Sequence, residues 1–311
     1  MTAISQPMTA TSLIRSFQWP DLAGLHSLMH EVGDRGHRSE DHPLELFEAE
    51  LRGPRWNATR DLTVAVNGAD VVGYSSAFPD SNISRAVVRF GVSQRHRRKG
   101  LGVALLHRAV ERSRGVGARI VHVPATAGDL ASGGLLQKAG FAPVRHFLHM
   151  VCGSLPAVST VARRGFELRS PDPGEAAGLA DLQNAVFEGS WGYSPHTGDE
   201  IAALLSLPGR GPDRVLTLTE SGRPIAYAWT HLFRSGGAWN GTLTMNGVHP
   251  AYRRVGLGEM IAAAGVRSLF EAGAASVDLE VDGTNALAVR LYERLGFRRR
   301  GGTFWYERRL K

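Results

Sequence analysis

The chain has 311 residues, of which 43% are hydrophobic and 21% charged, so it is long and apolar enough for one or two packed domains and is not a disordered protein. One cysteine, Cys152, excludes an intrachain disulfide framework, and no apolar run approaches the length of a membrane span. The net charge of +7, from 36 Lys and Arg against 29 Asp and Glu, predicts an anionic partner such as a phosphate-bearing cofactor, an acidic metabolite or nucleic acid.

The opening segment, "MTAISQPMTATSLIR", lacks the apolar core of a signal peptide, so we expect a polar lead-in and a cytoplasmic protein that does not contact membranes. The next stretch contains four histidines, but their spacing gives neither His-Glu-x-x-His nor a Cys/His ligand set, so we expect no metal site. These histidines are His26, His30, His37 and His42.

A basic, glycine-rich turn, "RHRRKGLG", follows a predicted strand that ends at Val92 and precedes an amphipathic helix. A similar turn, "YRRVGLG", recurs at Tyr252 to Gly258, and Gly256 follows Gly100 by 156 positions. The later pair "KAGF" and "RLGF" keeps the same offset. A constant offset predicts two repeats of about 150 residues each. We place the first repeat at residues 1–158 and the second at 159–311, with a Gly-, Ser- and Pro-rich seam at Gly153 to Gly165.

The second repeat has a readable order of elements: two helices, two strands around a Glu-Ser-Gly turn, a third strand, a helix, a strand, a helix and a last strand. The predicted ranges are Pro173 to Phe187, Gly198 to Leu207, Arg214 to Phe233, Gly241 to Pro250, Gly256 to Phe270, Ser276 to Val281, Asn285 to Phe297 and Gly301 to Leu310. This order, which the first repeat follows, predicts an α+β fold: a mixed α/β sheet with helices on both faces.

The repeated turn has the chemistry of an anion site. Exposed N–H groups at a helix start attract negative charge, glycines let a phosphate approach the backbone, and arginines add charged hydrogen bonds. The spacing matches neither a Walker loop nor the dinucleotide GxGxxG. The turn therefore predicts a bound diphosphate.

These residues resemble a known family. Arg-x-x-Gly-x-Gly, at Arg97 to Gly102 and again at Arg253 to Gly258, resembles the coenzyme A loop of the GNAT N-acetyltransferases. "NALAVRLYERLGF" is similar to that family's second signature. The resemblance implies two tandem domains, each a mixed, mostly antiparallel sheet flanked by helices. It also implies acetyl-CoA as co-substrate, no metal, and a primary amine of a small molecule as acceptor. The tandem pair is also similar to mycothiol synthases, which implies a cysteinyl amine as an alternative acceptor.

The resemblance implies a set of coenzyme A-binding residues in each repeat. In the second repeat they are Val248, Arg253, Arg254, Val255, Gly256, Leu257, Gly258, Glu259, Asn285 and Tyr292. In the first they are Val92, Arg97, Arg98, Lys99, Gly100, Leu101 and Gly102. Asn285 either caps its helix or binds the pantetheine arm. In the family, a tyrosine at the Tyr292 position can protonate the departing thiolate.

The two repeats differ at the positions that carry chemistry. Asn285, Ala288 and Tyr292 correspond to Asp129, Ser132 and Leu136, and a leucine cannot donate a proton. In the strand before the second loop, Thr242, Thr244 and Asn246 alternate with apolar residues, which predicts one polar face. The corresponding residues of the first repeat, Ala86, Val88 and Phe90, are apolar. We therefore predict a non-catalytic first repeat and a catalytic second one.

The general base is left open by the sequence. Mycothiol synthases carry a glutamate where this chain has Thr242, and the candidate replacements are Glu280, Asp282 and His249. Tyr292, Glu280 and Asn246 form the predicted catalytic set, in which the backbone near Asn246 polarises the thioester oxygen. The predicted acceptor residues are Trp191, Tyr193, Trp229, Thr242 and Thr244. Glu188, Asp199 and Glu200 either attract a cationic amine or begin a helix.

Two other functions are compatible with parts of the sequence. A nucleic-acid binder would use the basic runs Arg95 to Lys99, Arg298 to Arg300 and Arg308 to Arg309, but it would need interleaved aromatic residues that these runs lack. A non-catalytic acyl-CoA sensor would explain the missing glutamate, while Tyr292 and Asn285 argue against it. We expect a monomer or a homodimer.

Overall fold

The computed structural model describes residues 12–33, 42–53, 57–158, 165–207 and 214–310. Most of the predicted lead-in, part of the predicted seam and His37 lie outside these ranges. Among the described residues, no helix is both long and apolar enough to cross a membrane. The chain divides into two compact units. The first contains Met1–His37, Arg55–His122 and Arg309–Lys311, and the second contains Arg38–Pro54 and Val123–Arg308.

From the first long helix onward, the helices and strands follow the predicted order in both repeats, except that a short third helix follows the first two in the first repeat. The prediction missed the short strand that precedes the first long helix in each repeat. The helices are α1 (Leu22–Val32), α2 (Leu44–Leu51), α3 (Ala58–Asp61), α4 (Leu101–Gly115), α5 (Leu130–Lys138), α6 (Ala176–Phe187), α7 (Gly198–Leu205), α8 (Leu257–Glu271) and α9 (Ala286–Arg294). The strands are β1 (Leu13–Ser16), β2 (Leu62–Asn67), β3 (Asp70–Asp80), β4 (Arg85–Val92), β5 (Ile120–Thr126), β6 (Ala142–Cys152), β7 (Phe166–Arg169), β8 (Val215–Glu220), β9 (Arg223–Ser235), β10 (Ala238–Val248), β11 (Val277–Asp282) and β12 (Arg298–Arg309).

The first unit is built on strands β1 to β4 and the beginning of β5, which lie side by side in chain order. All neighbours pair antiparallel except β4 and β5, which pair parallel. Helix α4 buries Leu105 and Leu106 on the sheet, where Leu105 joins Ala65, Val72 and Val92 in one apolar cluster. A crossover helix between two parallel neighbours is the connection that such strands require.

The second unit has the strand order β12-β6-β11-β10-β9-β8-β7, in which only β10 and β11 pair parallel among the registered neighbours. Helices α8 and α9 cover one face through Ile261, Val266 and Val289, and α6 and α7 pack on the other face against Tyr227 and Trp229. This arrangement confirms the predicted mixed, mostly antiparallel sheet flanked by helices.

The compact units are not the same as the sequence repeats. The last helix and last strand of the first repeat, α5 and β6, belong to the second unit, where β6 lies between β11 and β12. Side chains of the first repeat therefore line the sheet that carries the second loop. The boundary at residues 158 and 159 describes the sequence repeat and stays a prediction.

Each repeat begins with a bidentate salt bridge between an arginine and a carboxylate six residues later. In the first, both guanidinium nitrogens of Arg15 donate to Asp21, at 2.6 and 2.7 Å. In the second, both guanidinium nitrogens of Arg169 donate to Glu175, at 2.7 Å each. The hydrogen bonds from Arg169, with a further one from the backbone N–H of Asp172, lower the pKa of Glu175 to about 2. A paired carboxylate of this kind stabilises the folded state only while it is ionised.

We expect Glu175→Gln to lower the melting temperature at neutral pH, by the equivalent of about 1 kcal/mol or less because the pair is partly exposed. The ordinary pKa of 4.5 falls to about 2 on folding, so the contribution is complete above pH 4.5 and is lost as the pH drops through 2. Thermal unfolding at pH 7, 4 and 2 checks this. A difference from the wild type that stays constant across the three pH values would contradict it.

Candidate active site

The two basic turns have the same backbone geometry. Gly256 has a φ of 85° and Arg254 a φ of 69°, and the corresponding Gly100 and Arg98 have φ values of 83° and 61°. Left-handed backbone is uncommon for a residue with a side chain and easy for glycine. The turns therefore share a specific loop conformation that the glycines permit.

An arginine side chain ties each loop to the strand before it. Nε of Arg253 donates to the carbonyl oxygen of Val248 at 3.2 Å, and Nε of Arg97 donates to that of Val92 at 3.0 Å. Arg253 also donates to the carbonyl of Val186 on α6, at 2.8 Å. These arginines therefore fix the loop, and its backbone amides remain the candidate groups for binding an anion.

The helix starts at both loops fit a phosphate. Gly256 and Gly100 are the N-caps of α8 and α4 and supply no side-chain cap, so the first-turn N–H groups are available for an external acceptor. Val255 is exposed at the loop, whereas Leu257 is buried in the core. Glu259, in the first turn of α8, is paired with Arg294 at 3.2 Å, which offsets its charge beside the candidate anion site.

A β-bulge interrupts β10 in front of the second loop. Leu243 pairs with Thr230 and Met245 with Trp229, so Thr244 is an extra, exposed residue without a cross-strand partner in β9. Thr242 therefore lies on the face covered by α6 and α7, while Asn246 lies on the face covered by α8 and α9. The predicted single polar face of Thr242, Thr244 and Asn246 is wrong, because the bulge reverses the alternation.

The parallel strands β10 and β11 separate next to this bulge. Their register contains Gly241↔Val277 and Thr242↔Asp278, and both strands continue beyond these pairs. At the separated end the hydroxyl of Tyr292, on α9, donates to Oδ1 of Asn246 at 2.7 Å. Burial raises the pKa of Tyr292 to about 12, partly opposed by this hydrogen bond. Tyr292 is therefore protonated at neutral pH and can donate a hydrogen bond.

The first repeat lacks the bulge and the tyrosine of this site. Strand β4 pairs with β3 in one continuous register from Gly73↔Val92 to Asp80↔Arg85, with no bulge. Leu136, which corresponds to Tyr292, is fully buried in α5. The helix caps are alike, since Asn285 accepts from the N–H of Ala288 and Asp129 accepts from the N–H of Ser132. Asn285 thus caps α9, one of its two predicted roles.

On the other face of the second sheet, three polar side chains form a chain of hydrogen bonds. The hydroxyl of Thr242 donates to Oδ1 of Asp278 at 2.6 Å. Oδ2 of Asp278 lies 3.1 Å from Nε2 of His149, which β6 supplies. The side chains of His149 and Asp278 are 18% and 15% exposed, so both are partly accessible.

Sequence comparison decides the family. The Acetyltransferase (GNAT) family matches residues 24–141 and 178–297, which is more than half of the chain and one match in each repeat. The chain belongs to this family. It is therefore an acyl-CoA-dependent acetyltransferase with two tandem GNAT domains.

Two relatives and one solved structure match most of the chain. A mycothiol acetyltransferase of Thermomonospora curvata is 30% identical over 263 residues, 82% of this chain and 84% of that protein. Another, from Amycolatopsis mediterranei, is 28% identical over 89% of this chain and 92% of that protein. A tandem GNAT protein from the clavulanic acid biosynthesis pathway superposes with a TM-score of 0.74 over 96% of this chain and 98% of that chain, at 16% identity. The last likeness shows the shared fold.

The predicted acceptor residues of this GNAT enzyme fall into two groups. Trp191 lies in an aromatic cluster with Phe147 and Trp305, with ring centroids 6.1 and 5.7 Å away. Trp229, 8% exposed, and Tyr193 instead support the fold, since Trp229 packs beneath α6 and α7 and Tyr193 donates to Oδ1 of Asn184 at 2.8 Å. Trp229 shares the face of Thr242 but packs beneath α6 and α7, so Trp191 is the predicted acceptor residue that lies in the aromatic cluster with Phe147 and Trp305.

The candidate bases also make identifiable contacts. Nδ1 of His249 accepts from the N–H of Ala251, and Asp282 accepts from the N–H and hydroxyl of Thr284, so both order turns. Glu200, predicted either to attract a cationic amine or to begin a helix, forms a capping box with Thr197 at the start of α7. Glu280 is exposed and accepts from the hydroxyl of Thr303 at 3.0 Å. Glu280 and Asp282 both lie on the same face of β11 as Asp278, and Glu280 pairs directly with His149 of β6.

Sequence reasoning missed Asp278 and His149. The alternation in "SVDLEV" places Asp278 on the same face as Glu280, but the partner strand that supplies His149 is 129 residues away in sequence. Over the described parts of the chain, no group of three or more His, Cys, Asp and Glu residues could hold a metal ion.

Proposed function

We propose that the second repeat transfers an acetyl group from acetyl-CoA to a primary amine of a small molecule. The observation that carries this proposal is the hydrogen bond from Tyr292 to Asn246 at the point where β10 separates from β11, next to the Gly256 loop. In the first repeat, the continuous β4 and the buried Leu136 support a role without chemistry, although its loop keeps the shape for coenzyme A.

Each part of the second site has a role in this reaction. The N–H groups at the start of α8 and the Arg253–Gly258 loop hold the diphosphate of the donor. Backbone N–H groups beside the bulge stabilise the negative charge that develops on the thioester oxygen. Acetyl-CoA supplies the activated acyl group, and the acceptor must arrive as a free amine, because an ammonium has no lone pair.

Tyr292 acts on the leaving sulfur. Its pKa of about 12 exceeds the ordinary thiol value of about 8.5, so the phenol is a weaker acid than the thiol that is released. Tyr292 therefore stabilises the departing thiolate mainly by a hydrogen bond, for which its single O–H turns from Oδ1 of Asn246 to the sulfur. A sensor without chemistry would have no use for this donor.

A cysteinyl amine, as in a mycothiol precursor, is the second candidate acceptor. It is supported by the relatives named mycothiol acetyltransferase, which match most of the chain at about 30% identity. Thr242, which stands where the mycothiol synthases carry a glutamate, argues against an identical mechanism. The two candidates share the donor and the reaction and differ in the acceptor alone.

Mass spectrometry of reaction mixtures tests the proposal. The protein is incubated with acetyl-CoA and, separately, a cysteinyl glucosamine conjugate, an aminoglycoside or a peptide with a free N-terminus. We expect an N-acetylated product from at least one small-molecule amine, and Tyr292→Phe to form it much more slowly. Hydrolysis of acetyl-CoA without acetylation of any amine would contradict the proposal.

A further inference from the structure

We infer that His149, supplied by the last strand of the first repeat, is the general base of the second repeat's active site, and that Asp278 and Thr242 position it. This inference rests on the proposed acetyl transfer to an amine. It assigns the base that the sequence leaves open, and it gives the first repeat a direct part in catalysis.

The hydrogen-bond chain fixes which nitrogen of His149 carries the proton. An ionised carboxylate only accepts hydrogen bonds, so Nε2 of His149 donates to Oδ2 of Asp278. The other ring nitrogen, Nδ1, then has a lone pair, and it makes no hydrogen bond within the described part of the chain. A carboxylate that fixes the tautomer in this way is the usual partner of a histidine base.

Thr242 holds the carboxylate in place. Its hydroxyl donates to Oδ1 of Asp278 at 2.6 Å, so the two carboxylate oxygens are occupied by Thr242 and His149 and the plane of the group is set. A glutamate at position 242 would place a second negative charge beside Asp278. Thr242 of β10 is thus matched to the carboxylate of Asp278 on β11. This explains why β10 carries no carboxylate at position 242.

The surroundings of His149 suit an acceptor amine. Phe147 shares the face of β6 with His149 and contacts both Trp191 and Trp305, so an aromatic surface lies two residues along the strand. The charged and titratable side chains on this face include Asp278, Glu280 and Asp282 on β11, Arg145 on β6, Arg298 on β12 and His231, which pairs with Thr242. Glu280 lies directly opposite His149 in the register. Thr242 and Asp278 form the last registered pair of β10 and β11 before the two strands separate. The thioester can pass through the gap between the strands beyond this pair.

The proton balance is complete with these residues. The amine nitrogen forms a bond to the thioester carbon as the carbon–sulfur bond breaks. Nδ1 of His149 takes the proton that the nitrogen loses, and the resulting positive ring is stabilised by Asp278. The neutral ring suits this step because Nδ1 accepts a proton while Nε2 stays hydrogen-bonded to Asp278.

Chemical rescue tests the assignment. We expect His149→Ala to lower kcat for amine acetylation about 100-fold with the dissociation constant for acetyl-CoA unchanged. Added imidazole should restore part of the rate, in proportion to the concentration of its free base. His107→Ala removes an exposed histidine of α4, 72% exposed, and should neither lose activity nor respond to imidazole.

Companion variants separate the roles. His149→Gln preserves the side-chain volume and should be as slow as His149→Ala if the ring is the base. Asp278→Asn and Thr242→Val should lower kcat less, whereas Thr242→Ser should retain it. Imidazole that fails to rescue a folded His149→Ala, or a larger loss in Asp278→Asn than in His149→Ala, would overturn the inference.

The outcome for the wild type separates this inference from the proposed function. If the wild type acetylates an amine and folded His149→Ala and His149→Gln do so equally fast, the inference fails and the proposed function stands. If the wild type acetylates none of the three amine classes, both fail together.

Discussion

Tyr292→Phe is expected to lower kcat for acetyl transfer about 100-fold while the dissociation constant for acetyl-CoA stays close to the wild-type value. The phenol is buried and protonated at neutral pH, with a pKa of about 12, and it donates to Asn246 at the point where β10 and β11 separate. Removing the hydroxyl removes the hydrogen-bond donor for the departing sulfur, but it leaves the diphosphate contacts of the Gly256 loop intact. Steady-state kinetics and calorimetric titration measure the two quantities.

Tyr306→Phe is the matched control for this prediction. Tyr306 is a buried tyrosine of β12 in the same unit, and no hydrogen bond of its hydroxyl is part of the proposed site. Its variant should keep a kcat close to the wild-type value, because the change touches none of the groups proposed to react. If Tyr292→Phe behaved like Tyr306→Phe, Tyr292 would have no part in the chemistry.

Gly256→Val is expected to raise the KM for acetyl-CoA at least about tenfold, because valine is β-branched and does not tolerate the φ of 85° that the loop requires. Backbone strain of this kind costs on the order of 1–3 kcal/mol, which the loop can relieve by changing its conformation and losing the phosphate-binding amides. Kinetics at varied acetyl-CoA and a fixed amine measure the effect.

Gly100→Val places the same substitution in the first loop, where φ is 83°. Because the first repeat lacks the bulge and has Leu136 in place of a tyrosine, this variant should lose far less turnover than Gly256→Val. Equal losses in both variants would contradict the assignment of the chemistry to the second repeat.

The elements and the loops could be predicted from sequence because both are local. The Glu-Ser-Gly turn places Ser221 and Gly222 in left-handed backbone between β8 and β9, as its residue types indicate. Gly256 and Gly100 take the positive φ that their position before a helix favours. The 156-residue offset correctly pairs Tyr292 with the buried Leu136.

The details of the site depend on strand pairing, which sequence periodicity does not reveal. One extra residue at Thr244 sends Asn246 to the face opposite Thr242, and nothing in the alternation of the strand signals that bulge. His149 meets Asp278 because β6 of the first repeat lies beside β11 of the second. A contact of this range requires the topology, so the residues proposed as base and orienting acid could not be found from local patterns.

Calorimetric titration of the purified wild-type protein with acetyl-CoA tests most directly that the second loop binds the donor. The account predicts saturable binding that Gly256→Val removes or greatly weakens. Two sites in the wild type, one of which persists in Gly256→Val, would show that the first loop also binds the donor. No binding to the wild type would contradict the account. So would a Gly256→Val variant that binds acetyl-CoA with the same affinity and the same number of sites as the wild type.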